Sequence, residues 1–186
     1  MKVRASAIPE VKIIQVQRCG DQRGFFAEVY NRRRFAEAGI DLDVLQDNHS
    51  LSVARGTLRG LHFQKPPAAQ AKLVRVVRGA IADVVVDCRR GSPSYGRHVM
   101  IELDATSGEQ VFCPRGFAHG FVALEPDVEV VYKVDAYYAP ELDSGVRWDD
   151  PDLAIPWPLP ADELVLSDKD RNLPRFADLP PIFAYA

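Results

Sequence analysis

Lys72-Leu73-Val74-Arg75-Val76-Val77-Arg78-Gly79-Ala80-Ile81-Ala82-Asp83-Val84-Val85-Val86-Asp87 is the stretch on which the fold turns. Its short valine-rich runs, broken at Gly79, predict strands at Lys72–Arg78 and Ile81–Asp87. Residues two apart on a strand share a face, so Lys72 lies with Val74 and Val76 while Arg75 points the other way. The same texture extends in both directions. It predicts further strands at Val11–Gln17, Phe25–Tyr30, Val44–Val53, Thr57–Gln64, His98–Leu103, Gln110–Phe112, Phe117–Leu124 and Val128–Val134. Many short strands divided by Gly, Pro, Asn and Asp are the signature of an all-β sandwich or barrel. One short N-terminal helix is expected at Arg32–Ala38, with Asn31 as its cap and Gly39 at its end. Beyond Tyr138 the prolines Pro140, Pro151, Pro156, Pro158 and Pro160 predict an irregular, partly helical tail wrapped on the sheets, with Trp148 and Trp157 as its anchors. No repeat or linker divides the chain, so residues 1–186 read as a single domain.

Composition narrows the function classes. Apolar residues make up 47% and charged residues 26%, and the net charge is −3, from 23 basic and 26 acidic side chains. This weakly acidic chain has no basic block, so no nucleic-acid partner is expected. No apolar run approaches the roughly 18 residues of a membrane span, and no secretory signal is visible. The three cysteines, Cys19, Cys88 and Cys113, form neither a disulfide framework nor a zinc pair. A cytoplasmic protein with free thiols is the expectation.

The strand faces carry the functional information. Tyr132 shares a face with Val128, Val130 and Val134. His119 lies between Phe117 and Phe121, and His62 follows Leu58 and Gly60 on the face they share. A single inward tyrosine or histidine is ordinary core chemistry, and His98 reads as a plain strand residue. An inward lysine is different, because lysine is almost never fully buried without a partner. Together, Lys72, His62, His119 and Tyr132 describe a site more readily than a core.

Pro114-Arg115-Gly116-Phe117-Ala118-His119 resembles the second signature of cupin barrels, P-x-G-x-x-H, so a cupin-type jelly roll is expected. The first cupin signature supplies H-x-H, and here Leu61-His62-Phe63-Gln64 puts Gln64 where the second histidine belongs. Two imidazoles on separate strands do not complete a three-ligand site, so no metal is expected. A metal-free pocket of His, Lys and Tyr suits removal of a proton α to a carbonyl. That chemistry needs a base, a cation beside the enolate oxygen and an acid to return a proton. His62 fits the base, Lys72 the cation and Tyr132 the acid on the opposite face. A carboxylate on the far nitrogen of His62 would orient it, and Asp83 and Asp170 both remain open for that task.

Seven segments, in order, then carry a family resemblance. They are Asp21-Gln22-Arg23-Gly24-Phe25-Phe26, Gln46-Asp47-Asn48-His49-Ser50, Leu58-Arg59-Gly60-Leu61-His62-Phe63-Gln64, Lys72-Leu73-Val74-Arg75-Val76-Val77-Arg78-Gly79, Pro114-Arg115-Gly116-Phe117-Ala118-His119-Gly120-Phe121, Arg147-Trp148-Asp149-Asp150-Pro151 and Leu166-Ser167-Asp168-Lys169-Asp170. From about Pro9 to Arg171 the chain resembles the dTDP-4-dehydrorhamnose 3,5-epimerase family.

The resemblance implies a cofactor-free isomerase acting on a dTDP-4-keto-6-deoxy sugar, with His62 as base, Asp170 as its orienting carboxylate, Tyr132 as proton donor and Lys72 at the enolate. It implies substrate contacts from Arg59, His119, Gln46, Asp47, Asn48 and Lys169, with Arg59 on the diphosphate and Tyr138 stacked on the base. It further implies a homodimer formed by exchange of N-terminal strands, through which Arg23 and Glu28 reach the neighbouring pocket, and Phe26 as a second aromatic wall beside the base. One position departs: Asp143 stands where the family usually has Glu, one methylene longer, which bears on nucleotide recognition. Inversion at one carbon only is the near alternative. A metal-dependent cupin enzyme and a non-catalytic nucleotide-sugar-binding protein are the others.

Overall fold

The computed structural model describes residues 1–185. Two antiparallel sheets face each other. One holds β1 (Lys2–Ala5), β2 (Lys12–Gln15), β5 (Gln46–Ser52), β7 (Lys72–Arg78), β11 (Glu109–Cys113) and β13 (Val128–Val134), in the spatial order β1-β2-β11-β7-β13-β5. The other holds β6 (Leu58–Gln64), β8 (Ala80–Asp87), β10 (His98–Asp104), β12 (Phe117–Ala123) and β14 (Asp143–Gly145), in the order β10-β8-β12-β6-β14. A small hairpin pairs β3 (Cys19–Asp21) with β4 (Gly24–Phe26), and β9 (Arg89–Arg90) runs parallel to β15 (Phe183–Ala184). This is the cupin-type β-sandwich, with its sheets left open at the edges rather than closed into a barrel.

The inward faces alternate as the sequence requires. Val74 and Val76 of β7, Val128 and Val130 of β13, Ile81 and Val85 of β8, and Phe117 and Phe121 of β12 form one buried cluster. Each such side chain contributes about 1.5–3 kcal/mol when taken fully out of water. Interleaved with these apolar side chains on the same faces are Lys72, Tyr132, Asp83 and His119. The site is therefore a continuation of the core in which apolar positions are replaced by ionisable ones.

The outward faces are covered by what lies between and after the strands. Helix α1 (Arg32–Glu37) is capped by Asn31, whose side-chain oxygen accepts the Arg34 N–H at 3.2 Å. It lays Phe35 on Ile14, Leu73 and Phe112. The proline-rich tail covers the other sheet, where Leu153, Phe176, Leu179 and Phe183 pack on Leu61, Phe63, Val84 and Val86. Trp157 anchors it as expected, its indole N–H donating to the Trp148 carbonyl at 2.8 Å. Helix α2 (Asp168–Arg171) belongs to this tail and is capped by Ser167.

Three sequence expectations need correction. The strand expected at Phe25–Tyr30 stops at Phe26, because Glu28 binds Asn31 and Arg34, and the Tyr30 hydroxyl donates to the Leu42 carbonyl, turning the chain into α1. The strand expected at Val44–Val53 starts at Gln46. The third concerns β6, where His62 pairs with His119 but Arg59 pairs with Phe121, three residues against two. That extra residue is a β-bulge, and a bulge resets which face each side chain takes. Leu58, opposite Val122, packs on Leu159 and Leu164 of the tail and only edges the cavity, and Leu61 packs toward the tail as well. Arg59 opposite Phe121 and His62 opposite His119 instead take the interior face. Leu58 and His62 thus do not share a face. Gly60 makes this possible: its φ is +143°, and a Cβ there would lie 2.5 Å from the Gly120 Cα.

Candidate active site

Between the sheets lies a cavity of about 470 Å³, lined by Arg59, His62, Lys72, His119, Tyr132 and Asp170 among others. A second cavity of about 390 Å³ adjoins it, sharing His62, Lys72, Tyr132 and Lys169 and continuing to Gln46, Asn48, Tyr138 and Asp143. The sheets divide the chemistry. His62 on β6 and His119 on β12 come from the five-stranded sheet, and Lys72 on β7 and Tyr132 on β13 from the six-stranded one.

The His62 Nε2 lies 2.5 Å from Asp170 Oδ1. Accepting the Nε2 proton, the carboxylate leaves Nδ1 as the basic nitrogen. Burial pushes the Asp170 carboxyl up, but hydrogen bonds from His62, from Ser167 and from the Gly60 backbone outweigh it and hold the carboxyl below its ordinary range. Asp83 does not serve His62. It accepts from His119, Nε2 to Oδ2 at 2.7 Å, so each imidazole has its own carboxylate.

Lys72 is buried and donates to the His62 carbonyl at 3.3 Å. Burial pulls its pKa down, opposed by Cys113, Asp143 and Asp83 nearby. Burial also pushes the Tyr132 phenol up, with Arg59 opposing and Asp143 adding to the rise, which keeps this side chain protonated at neutral pH. Gln64 is spent on the backbone. Its amide donates to the carbonyls of Ala68 at 2.7 Å and Tyr137 at 3.1 Å, and its oxygen accepts from Ala139 N–H at 2.7 Å. Among the described residues no group of three or more His, Cys, Asp or Glu is placed to hold a metal ion.

Around the rim, Arg59 is aimed by its own bonds to Ser52 Oγ at 3.3 Å and the Leu51 carbonyl at 2.9 Å. Gln46 donates to Asn48 at 2.8 Å and accepts from the Tyr138 backbone N–H at 2.9 Å. The Tyr138 hydroxyl donates to Asp143 at 3.1 Å, and Lys169 pairs with the same Asp143 oxygen. Asp143 thus ties the aromatic rim to the helix that carries Asp170.

Four expected contacts are not gathered here. Asp47 sits on the opposite face of β5 from Gln46 and Asn48, exposed and paired with Lys133 at 2.6 Å. Arg23, Phe26 and Glu28 lie outside both cavities. Arg23 folds onto Asp21, Glu28 binds Arg34, and Phe26 is 74% exposed beside Phe25 on the β3–β4 hairpin. Sequence reading also missed Ser50, Thr57 and Ser167, which line the larger cavity. Ser50 was legible by alternation with Gln46 and Asn48. Thr57 and Ser167 carried no such signal, because a loop and a tail bring them in.

The sandwich and its paired imidazoles facing a buried lysine and a phenol define a cupin-type protein with a general acid–base pocket. A family model described as dTDP-4-dehydrorhamnose 3,5-epimerase matches residues 5–178. The dTDP-4-dehydrorhamnose 3,5-epimerase of Sinorhizobium fredii is 48% identical over 185 residues, covering 100% of this chain and 94% of its own. The dTDP-6-deoxy-D-glucose-3,5-epimerase of Legionella pneumophila, solved in complex with dTDP-4-keto-L-rhamnose, is 39% identical with a TM-score of 0.95, covering 100% of this chain and 98% of its own. ChmJ, a 3'-monoepimerase from Streptomyces bikiniensis solved with dTDP-quinovose, is 38% identical with a TM-score of 0.86, covering 93% and 87%. The chain belongs to the dTDP-4-dehydrorhamnose 3,5-epimerase family.

Proposed function

We propose that this chain is an isomerase that converts dTDP-4-dehydro-6-deoxy-D-glucose to dTDP-4-dehydro-L-rhamnose, inverting carbons 3 and 5 without a cofactor. The carrying observation is the facing of the His62–Asp170 pair by Tyr132 across a cavity that also holds Lys72. Both carbons lie α to the keto group, so both hydrogens are acidic. His62 Nδ1 takes the proton, and the electron pair moves onto the keto oxygen beside Lys72. Tyr132 then delivers a proton to the opposite face, and exchange with solvent resets base and acid. A general acid or base of this kind contributes typically 10²–10⁴-fold.

Arg59 suits the diphosphate, since a guanidinium matches phosphate oxygens in pairs. Tyr138 stacks on the nucleobase, with Gln46, Asn48, Asp143 and Lys169 around the nucleotide and His119 at the sugar. The exposed Phe25 and Phe26 on the β3–β4 hairpin support a homodimer formed by exchange of N-terminal strands, in which Arg23, Phe26 and Glu28 complete the neighbour's pocket. Asp47, turned toward Lys133, keeps at most an indirect part. The chain works as a single cytoplasmic domain, and its three unpaired cysteines favour a reducing compartment. No helix of the described residues is long and apolar enough to cross a membrane.

The resemblance to a 3'-monoepimerase supports one second reading, inversion at a single carbon. Incubation with dTDP-4-keto-6-deoxyglucose, coupled to a rhamnose-forming reductase, tests the choice. Rhamnose-configured product is expected, and a product inverted at one carbon would overturn the double reading.

A further inference from the structure

His119 and Asp83 form a second imidazole–carboxylate pair that the base and acid roles leave unused. His119 stands directly across from His62 on the neighbouring strand, and its side chain lines the same cavity. Asp83 is fully buried in β8, in a run where every other residue from Ala80 to Val86 is apolar. One of its oxygens accepts from His119 Nε2 at 2.7 Å, and the other, Oδ1, is buried without any hydrogen-bond partner among the described residues. A buried carboxylate oxygen left unpaired costs about 1–3 kcal/mol or more, so such a group marks function more readily than packing. Lys72, from the facing sheet, is close enough for the Asp83 charge to act on it.

With Nε2 committed to Asp83, Nδ1 is the nitrogen His119 has left for a ligand, and it makes no hydrogen bond within the described protein. His119 lines the cavity from the five-stranded sheet and Lys72 from the six-stranded one, so a keto group held between the sheets lies between the two. We propose that Asp83 is a positioning residue. It holds His119 with Nδ1 toward the keto oxygen and supplies the charge that balances a proton on that nitrogen. His119 and Lys72 then share the negative charge gathered on the oxygen when either flanking carbon is deprotonated. Preorganised donors at a developing oxyanion are typically worth 10²–10³-fold each.

This inference rests on the epimerase reading above, and Asp83→Asn separates the two. Asn preserves size and can still accept from Nε2, but it removes the charge. The expected result is a kcat lower by about 10-fold or more, with KM for the nucleotide sugar and Tm close to wild type. Solvent exchange at carbons 3 and 5 should fall in parallel, because both enolates use the same oxygen, whereas a structural role would not spare KM and Tm. Wild-type kcat in this variant, or loss of exchange at only one carbon, would overturn the proposal. Imidazole nitrogen NMR of the wild-type protein needs neither variant nor substrate. It should show the His119 proton on Nε2, displaced in frequency by the short bond to a carboxylate, and a bare Nε2 would also overturn the proposal. If the wild-type protein catalyses no exchange at all, the failure belongs to the epimerase reading.

Discussion

Strand β8 buries two carboxylates four residues apart, and the protein treats them in opposite ways. Asp87 is saturated. Its Oδ1 accepts from the Arg89 backbone N–H and Nε, both at 2.9 Å, and its Oδ2 accepts from Arg89 at 2.7 Å, Ser92 at 2.6 Å and Ser94 at 2.7 Å. The Arg89 guanidinium is itself held 4.3 Å from the Phe117 ring centroid and 5.0 Å from that of Tyr185. Asp83 has one bond, to an imidazole that faces the cavity, and one empty oxygen. A saturated buried charge fixes one arrangement of the chain, here the turn after β8 and the return of the C-terminal segment. An unsaturated one behind a cavity-lining imidazole orients that imidazole toward a ligand. Burial alone therefore does not distinguish structure from function on this strand, and partner count does.

The comparison breaks most sharply if the cavity side can be disarmed without loss of fold. His62→Ala should lower kcat by about 10²–10⁴-fold and remove solvent exchange at both carbons, with the folded state intact by thermal melt. Retained exchange would free His62 from the role of base. On the structural side, Asp87→Ala leaves Arg89 without its buried partner and should cost about 3–5 kcal/mol in a denaturant titration. Turnover per folded molecule should stay near wild type, and a selective loss of turnover would merge the two carboxylates into one class. A smaller effect is expected from Tyr132→Phe, which should retain some exchange while losing inversion. Full epimerase activity in that variant would take the tyrosine out of the acid role.

The smallest effect is on pH. Burial pushes the Asp87 carboxyl up, but Arg89, Ser92 and Ser94 overcome it, so its folded pKa lies below the unfolded one. The stability it contributes is fully present above the unfolded value, about pH 4, and is lost as pH falls through the lower folded value. Tm should be flat from neutral pH to about pH 5 and fall below about pH 4, more shallowly in Asp87→Asn than in wild type. Equal slopes would remove Asp87 from the acid limb.

Much of this was legible in the sequence because the strands obey a period of two. Lys72, Tyr132 and His119 face inward as their apolar neighbours predict, and the tail docks through Trp157 as its prolines suggest. Arg59 and His62 defeated the same rule, since a bulge at Gly60 inserts a residue that alternation cannot see. The choice between Asp83 and Asp170 was also beyond parity: strand alternation puts Asp83 inside, but only the folded tail brings Asp170 to His62. β1 and β14 were missed because four and three residues are too short to show a pattern. Arg23, Phe26 and Glu28 lie on the exposed hairpin and the segment leading to α1, and no reading of a lone chain places them at a cavity.

The central claim is that one base, one acid and one buried cation between two sheets invert both carbons flanking a keto group. Incubation of the protein with dTDP-4-keto-6-deoxyglucose in heavy water, followed by proton NMR, tests it most directly. Deuterium should enter at carbon 3 and carbon 5 of the product, and at neither with His62→Ala. Deuterium at a single carbon, or at both in the variant, would contradict the account.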